Sequence, residues 1–242
     1  MELGIKGKTA LVTGASKGIG LAIARGLVAE GVRVVISSRD AELLVTVAEE
    51  IGAEAIPADV SDPAQITRLL ATMKEGVGHP DILVVNAGGP PTGQADSLED
   101  EAWAMANELT LMSAVRLARG CLPSMKDSGW GRIINVTSRS VKDPIPNLAL
   151  SNALRAVTNF ARTLATEVAS SGITVNNVGP GATDTDRLRS LYPTPEAMDA
   201  AMQNTPTGRA ATPEEVASAA VYLAGGPAAM ITGQTIYVDG GA

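Results

Sequence analysis

Aromatic side chains and positive charge are both scarce in this sequence. Phe, Trp and Tyr make up 2% of the 242 residues, and the formal net charge is -7. Single-stranded nucleic acids bind to stacked rings beside basic side chains, and duplexes bind to clustered Lys and Arg. Anionic membrane surfaces attract basic segments in the same way. The composition therefore argues against a nucleic acid or an anionic membrane as a partner.

Cysteine and histidine occur once each. Cys121 has no partner for an internal disulfide bond, which is typical of a protein from a reducing compartment. It lies in an apolar helical pattern, so we expect a buried structural thiol and not a nucleophile. His79 lies in a Gly-His-Pro-Asp turn, where a solvated residue is expected. No metal site is predicted.

Membrane-spanning runs are also missing, because nowhere do about 18 apolar residues follow one another. The first residues, MELGIKGK, lack the apolar core of a signal peptide. Hydrophobic residues nevertheless make up 45% of the chain and charged residues 19%, which is close to an ordinary globular composition. We therefore expect a soluble, cytoplasmic protein that folds as a single domain over residues 1–242.

Short apolar, β-branched runs alternate with longer stretches of helical period, which is typical of parallel strands joined by crossover helices. Strands are predicted at residues 9–13, 32–37, 55–57, 82–85, 132–137, 174–178 and 235–238. Helices are predicted at residues 18–30, 41–51, 63–75, 99–126, 150–170 and 213–224. The predicted fold class is α/β: a single-domain Rossmann fold with a doubly wound, seven-stranded parallel sheet and helices on both faces.

Two predicted connections, 88–98 and 179–196, are longer than the sheet requires. Both follow the carboxyl ends of strands, where ligands bind in open α/β sheets. We interpret them as candidate substrate loops. For 88–98, an ordinary surface loop is an equally good interpretation.

A glycine motif, Gly14-x3-Gly18-x-Gly20, ends the first strand and opens the first helix. Glycine allows the backbone to turn tightly and to approach a pyrophosphate, and the following helix presents free N–H groups with positive dipole character. The position therefore predicts a dinucleotide site. Its candidate binding residues are Gly14, Ser16, Lys17, Gly18, Ile19 and Gly20.

The end of the second strand indicates which dinucleotide binds. A dinucleotide fold places an acidic residue here for a free ribose 2′-hydroxyl, or a basic one for a 2′-phosphate. Ser38 is uncharged and Arg39 offers a planar fork suited to phosphate, while Lys17 adds a second cation. Asp40 favours the opposite choice. On balance the pattern predicts NADP(H) in preference to NAD(H).

The glycine spacing differs from the usual Gly-x-Gly-x-x-Gly and resembles the short-chain dehydrogenase/reductase family. Further segments are similar to that family's motifs in the same order. They are Asp59-Val60 after the third strand, Asn86-Ala87-Gly88 after the fourth, Pro180-Gly181 with Thr183 and Thr185 after the sixth, and the terminal 232–234 and 238–241. By overall pattern the chain is closest to the 3-oxoacyl-(acyl-carrier-protein) reductases.

The resemblance implies an oxidoreductase and assigns a role to each segment. Asp59-Val60 would contact adenine, and Pro180-Gly181 with the two threonines would hold the nicotinamide carboxamide. The last strand implies a homodimer or homotetramer, since the family often uses it in tetramer contacts.

The catalytic pattern of that family is broken. Its members carry a Ser, a Tyr thirteen residues later and a Lys four residues after that, with an Asn from the preceding long helix. Ser138 falls on the Ser, but the next two positions are Ser151 and Arg155, and the Asn position falls on Thr110. No Tyr-x3-Lys occurs anywhere in the sequence.

The replacements change the available chemistry. A phenol with a pKa near 10 can be tuned toward neutrality by a cation, whereas an aliphatic hydroxyl is a far weaker acid. Arginine stays protonated and cannot relay protons. Because positions four apart share one helix face, we expect Ser151 and Arg155 to face the nicotinamide together. Ser138, Ser151 and Arg155 are therefore the candidate catalytic residues.

Two further cations, Arg139 and Lys142, follow Ser138. With Arg155 they suggest an anionic substrate or a water relay; the alternative is that both are solvated loop charges. Lys142 and Tyr192 are the spare proton donors.

Two functions remain open. The first is a divergent NADP-dependent reductase of a carbonyl or alcohol, in which Ser138 polarises the oxygen and water or a loop residue supplies the proton. The second is a catalytically impaired NADP(H)-binding protein with a sensing or structural role.

Overall fold

The computed structural model describes residues 1–203 and 205–242, and its central feature is one seven-stranded parallel sheet. The strands are β1 (Thr9–Thr13), β2 (Arg33–Ser37), β3 (Glu54–Ala55), β4 (Ile82–Val85), β5 (Gly131–Val136), β6 (Ile173–Pro180) and β7 (Thr235–Val238). Their order across the sheet is β3-β2-β1-β4-β5-β6-β7, and every neighbouring pair is parallel. The order reverses between β1 and β4, so this is where a ligand crevice is expected.

Helices cover both faces of the sheet. They are α1 (Gly18–Ala29), α2 (Ala41–Ile51), α3 (Pro63–Gly76), α4 (Asp100–Asn107), α5 (Ser113–Ser128), α6 (Ala149–Asn152), α7 (Arg155–Val168), α8 (Asp186–Leu191), α9 (Pro195–Gln203) and α10 (Pro213–Ala224). One core joins α1, α2 and α10 to the sheet, and a second joins α3, α5 and α7 to it. Because both faces are covered, strands such as β4 are buried throughout. The predicted doubly wound fold is confirmed.

The helix predicted over 99–126 is interrupted. Between α4 and α5 the chain forms a π-helical turn, Glu108–Met112. Here the hydroxyl of Thr110 donates to the carbonyl oxygen of Ala106 at 2.7 Å, and that of Ser113 to Leu109 at 2.6 Å. Such turns are inserted in longer helices and frequently mark functional sites.

The prediction of one continuous helix over 150–170 is wrong, because the structure has two helices there. α6 ends at Asn152, and α7 begins at Arg155 after two residues in a turn. The side-chain amide of Asn152 accepts from the backbone N–H of Ile145 and donates to its carbonyl oxygen, both at 3.1 Å. These bonds tie α6 to the loop before it, and the interruption changes which side chains share a face.

The connection predicted over 179–196 is also corrected, because it contains α8 and the start of α9. The hydroxyl of Thr185 accepts from the N–H of Leu188 and caps α8. The hydroxyl of Thr194 accepts from the N–H of Ala197 in the first turn of α9. The segment 88–98 contains no helix and pairs through Gly93 with Leu148.

The isolated Cys and His lie as predicted. Cys121 is fully buried, and burial raises the pKa of its thiol to about 12, so it stays uncharged and unreactive. His79 is exposed. Within the described part of the chain, no helix is both long and apolar enough to cross a membrane.

Candidate cofactor and active site

A single large cavity lies at the carboxyl edge of the sheet, with a volume of about 1220 Å³. It brings together almost the whole predicted cofactor set. Its lining includes Gly14, Ser16, Lys17, Gly18, Ile19, Ser38, Arg39, Asp59, Val60, Asn86, Ala87, Gly88, Pro180, Gly181, Thr183 and Thr185. Gly20, the remaining member, lies beneath this surface. A cavity of this size can hold a dinucleotide together with a small substrate.

The glycine turn is shaped by close backbone contacts. Gly14 and Gly18 have φ values of +59° and +58°, a conformation that favours glycine. A Cβ atom at Gly20 would collide with the carbonyl oxygen of Gly14 and lie 2.7 Å from Nδ2 of Asn86. The sequence therefore needs glycine at these positions for packing, as well as for access to a ligand.

Asn86 holds this turn in place. Its Nδ2 donates to the carbonyl oxygen of Gly14 at 2.9 Å. Its backbone oxygen accepts from the hydroxyl of Thr13 at 2.8 Å, and its backbone N–H donates to the same hydroxyl at 3.1 Å. The side chain predicted to contact the cofactor thus also joins the end of β4 to the glycine turn.

The first turn of α1 is open to an anion. Lys17 occupies the capping position without making a side-chain cap, and no acidic residue lies in the first turn. The first N–H groups of the helix therefore keep their donor capacity and their positive dipole character. Together with the glycine turn, they form the cradle that a pyrophosphate needs.

The structure resolves the conflict between Arg39 and Asp40. The carboxylate of Asp40 accepts from the backbone N–H of Leu43 at 3.1 Å and caps α2. Arg39 is exposed at the cavity and, across residues 1–203 and 205–242, forms no ion pair. Both residues line the cavity, but the Asp40 carboxylate caps its own helix, while Arg39 has no ion-pair partner in the described part of the chain.

Lys17 has a partner that the sequence did not suggest. Its Nζ lies 3.0 Å from Oδ2 of Asp186, at the start of α8. The hydrogen bond and charge of Lys17 lower the pKa of that carboxyl. The glycine turn is therefore linked to the segment 179–196.

A polar turn after β3 lines the part of the cavity where adenine is predicted to bind. The carboxylate of Asp59 accepts from the N–H of Ser61 at 2.9 Å and from its hydroxyl at 2.7 Å. Val60 is buried beside it. Asp59 therefore holds the turn and lines the cavity at the same time.

The segment predicted to hold the nicotinamide also contains close backbone contacts. A Cβ atom at Gly181 would lie 2.7 Å from the Cα of Asp239, so only glycine fits beside the last strand. The hydroxyl of Thr183 donates to the carbonyl oxygen of Gly181, and that of Thr185 to the carbonyl oxygen of Thr183, each at 3.2 Å.

Two of the three candidate catalytic residues meet at the cavity. Ser138 follows β5, and its hydroxyl oxygen accepts from the N–H of Ser140 at 3.1 Å. Ser151 is buried and also lines the cavity. The buried hydroxyl of Ser140 donates to the carbonyl oxygen of Ser151 at 3.1 Å. Ser140, which sequence reasoning missed, therefore links the two.

Arg155 is not placed as expected. It is exposed and does not line the cavity, whereas Leu148, Ser151, Leu154 and Val157 do. The turn between α6 and α7 breaks the four-residue relation on which the expectation depended. The charge of Arg155 acts instead on Tyr237, whose pKa is raised mainly by burial and lowered in part by this cation.

Of the two spare proton donors, one lines the cavity and the other does not. Tyr192 lines the cavity, as do Thr110 and Arg139. Lys142 lies outside the cavity; its Nζ donates to a carbonyl oxygen of Ala242 at 3.4 Å and lies 5.7 Å from the ring centre of Tyr237.

Arg187 is a cavity residue that the sequence did not single out. It lies in α8, and its guanidinium donates to the carbonyl oxygen of Pro90 at 2.7 Å. It joins the two predicted substrate loops. An Arg in a segment predicted to be irregular carries no signal of this contact.

The fold and this cavity define a dinucleotide-binding oxidoreductase of the Rossmann type. The sequence model of a protein family described as enoyl-(acyl carrier protein) reductase matches residues 14–242 of this chain. The chain belongs to the short-chain dehydrogenase/reductase family.

Similar proteins cover nearly the whole chain. The 3-oxoacyl-(acyl-carrier-protein) reductase of Salmonella typhimurium is 37% identical over 244 residues, covering 99% of this chain and 98% of that protein. The D-beta-hydroxybutyrate dehydrogenase of Rhizobium meliloti is 35% identical, covering 97% and 98%. L-sorbose reductase from Gluconobacter frateurii, solved with NADPH and L-sorbose, is 34% identical with a TM-score of 0.92, covering 100% and 98%.

Proposed function

We propose that this chain is an NADP(H)-dependent reductase or dehydrogenase that moves a hydride between nicotinamide and a carbonyl or alcohol carbon. The observation that carries the proposal is one cavity that joins the dinucleotide cradle to Ser138, Ser151 and Tyr192. The sheet edge, the glycine turn and the open end of α1 fit a dinucleotide.

The preference for NADP(H) is supported by Arg39 and Asp40. Asp40 is engaged in the cap of α2 and competes little for Arg39. A guanidinium facing the cavity suits a 2′-phosphate. A gluconate 5-dehydrogenase from Burkholderia cenocepacia, solved with NADP and tartrate, is 31% identical with a TM-score of 0.93, covering 99% of this chain and 96% of that one.

When bound, the reduced nicotinamide supplies a hydride to the carbonyl carbon, and the carbonyl oxygen then takes a proton. Ser138 is suited to polarise that oxygen. Because its hydroxyl oxygen accepts from Ser140, its own proton is available to donate into the cavity. Ser151, which lines the same cavity, positions the substrate. In this scheme Arg155 contacts neither the substrate nor the cofactor.

Tyr192 supplies the proton. It is the phenol that lines the cavity in the described part of the chain, and a phenol is a much stronger acid than an aliphatic hydroxyl. Arg139 and Arg187 also line the cavity, but a guanidinium stays protonated and cannot complete the transfer. The proton thus comes from a loop residue, and water restores it.

The test has two arms. NADPH and NADH are titrated against the purified protein by cofactor fluorescence, and turnover is then screened with ketones, β-ketoacyl thioesters, keto acids and alcohols. We expect tighter binding of NADPH and turnover with at least one of these classes. Binding of NADPH without turnover over the whole panel would refute the enzymatic proposal.

A second candidate, an NADP(H)-binding protein with a sensing or structural role, is favoured by one observation. Leu154, an apolar residue, lines the cavity where a cation was expected. A double variant discriminates between the two candidates: Ser151→Tyr combined with Leu154→Lys introduces a phenol and an ammonium group at positions that line the cavity. Ser151→Tyr with Arg155→Lys is the matched control.

The two double variants separate the candidates. If the first creates ketone reduction where the native chain has none, the native site has lost its chemistry and the second candidate holds. If it abolishes a native activity, Ser151 and its surroundings serve that activity. A homodimer or homotetramer remains a prediction, to be checked by light scattering.

A further inference from the structure

Arg187 is held at one position in the cavity wall. One of its terminal nitrogens donates to the carbonyl oxygen of Pro90 at 2.7 Å. A Cβ atom at Gly89 would lie 2.7 Å from its Nε, so the absence of a side chain at Gly89 makes room for the guanidinium. The side chain is only partly exposed. A guanidinium restrained in this way loses less freedom when it binds a ligand.

The neighbouring cations are paired with carboxylates, and Arg187 is not. Arg189, in the same helix, pairs with Asp184 and Asp186, and Lys17 pairs with Asp186. No carboxylate in the described chain forms an ion pair with Arg187. Desolvation by burial lowers its pKa. A partly buried cation without an anion is unfavourable unless a ligand supplies one.

Resting on the proposed function, we infer that Arg187 binds a carboxylate of the substrate, so that the enzyme acts on keto acids or hydroxy acids. A guanidinium has five N–H donors, and the contact with Pro90 uses one. The remaining donors allow paired hydrogen bonds to one carboxylate. Because Arg187 joins the segments 88–98 and 179–196, carboxylate binding also couples the two loops.

The test compares carboxylate ligands with an uncharged ester. Acetoacetate and methyl acetoacetate are titrated by calorimetry into NADP⁺-loaded protein, and tartrate into NADPH-loaded protein, so that no turnover takes place. The proteins are the native chain, Arg187→Met, Arg187→Lys and Arg68→Met. Arg68 is an exposed residue of α3 outside the cavity, and its replacement makes the same change in charge.

We expect the native protein to bind at least one of the two acids. Arg187→Met should weaken that binding about tenfold or more, because a charge-assisted hydrogen bond contributes roughly 1.5–3 kcal/mol. Arg187→Lys should retain part of this affinity, and Arg68→Met should retain all of it. The affinities for methyl acetoacetate and for NADPH should be the same in every variant as in the native chain.

Three results would overturn the inference. The native protein binds neither acid, or Arg187→Met leaves acid binding unchanged, or Arg187→Met weakens the acid and the ester equally, as a loop-joining role predicts. Acid binding that depends on Arg187 in a protein without turnover would support the carboxylate site and refute the proposed enzymatic function. The two failures are therefore distinguishable.

Discussion

Nζ of Lys17 and Oδ2 of Asp186 lie 3.0 Å apart, joining the glycine turn to α8 across the mouth of the cavity. Both side chains are 67% exposed, so water and salt screen the pair and its strength is modest. Lys17 is thus held by a protein carboxylate at the position where it was expected to meet a 2′-phosphate. If Lys17 binds that phosphate, as the sequence predicts, the phosphate and Asp186 would compete for one ammonium group.

This competition predicts the effect of Asp186→Asn. Removing the carboxylate frees Lys17, so NADPH should bind up to about fivefold more tightly; the gain is small because an exposed ion pair is weak. The affinity for NADH, which lacks the phosphate, should not change. Asp184→Asn removes the same charge two residues away and is the control. Equal gains for NADPH and NADH would contradict the prediction.

Arg39→Met should weaken NADPH binding about tenfold or more and leave NADH binding unchanged, because it removes a charge-assisted contact worth roughly 1.5–3 kcal/mol. Fluorescence titration of both cofactors measures this. Asp40→Asn keeps a residue that caps helices well and should leave the preference unaltered. A shift in preference as large for Asp40→Asn as for Arg39→Met would disprove the assignment.

Ser138→Ala should lower kcat/KM about 10²–10³-fold with little change in NADPH affinity, by analogy with the loss of one donor to a developing oxyanion. Steady-state kinetics with the best substrate of the screen provides the measurement. Thr137→Ser, at the neighbouring position, retains a hydroxyl and is the control. An unchanged kcat/KM would remove Ser138 from the reacting centre.

Tyr192→Phe should lower kcat about 10²–10⁴-fold, the usual contribution of a general acid. KM and the affinity for NADPH should change little, because a phenyl ring fills the same space. Steady-state kinetics and fluorescence titration measure these values. A loss of kcat/KM that comes from KM alone would assign Tyr192 to packing, and an unchanged kcat would assign the proton to another group.

Stability should depend on Glu215 in acid. The ion pair with Arg209, followed by the hydrogen bond from the N–H of Thr212, lowers the pKa of Glu215 from 4.5 to about 2. Because the folded state holds the charged form more strongly, the stabilisation is complete above the unfolded pKa and is lost as pH falls from 4.5 toward 2.

Urea unfolding of the native chain and Glu215→Gln at several pH values checks this. The difference in free energy of unfolding should be constant near neutral pH and shrink below about pH 4.5. Glu214→Gln removes a charge from the same helical turn without breaking the contacts of Glu215, which controls for the helix dipole. A difference that does not vary with pH would be inconsistent with the ion pair.

The sheet and the cofactor cradle were predictable because local pattern decides them. β1, β4 and β7 match their predicted bounds. β1 and β4 are apolar runs buried inside the sheet, which leaves few alternatives, whereas β7 is an edge strand that its β-branched and aromatic residues favour. The glycine turn is also predictable from local sequence. Gly14 and Gly18 adopt positive φ, a conformation that favours glycine, so the positions of the glycines indicate where the chain turns.

The catalytic side was less predictable because it depends on contacts between distant segments. Counting along one continuous helix placed Arg155 beside Ser151, but Asn152 bonds to Ile145 and the helix is interrupted before Arg155. Likewise, no local pattern places Arg187 on the carbonyl oxygen of Pro90, 97 residues earlier in the chain.

By itself, then, the sequence determined the fold, the glycine turn and the absence of any Tyr-x3-Lys, because residue type, period and spacing carry that information. Only the tertiary structure decided that Leu154 and not Arg155 lines the cavity, that Lys17 pairs with Asp186, and that Arg187 and Tyr192 line the same cavity. These outcomes follow from where the loops pack at the carboxyl edge of the sheet, and loop packing is set by long-range hydrogen bonds and burial that no local pattern encodes.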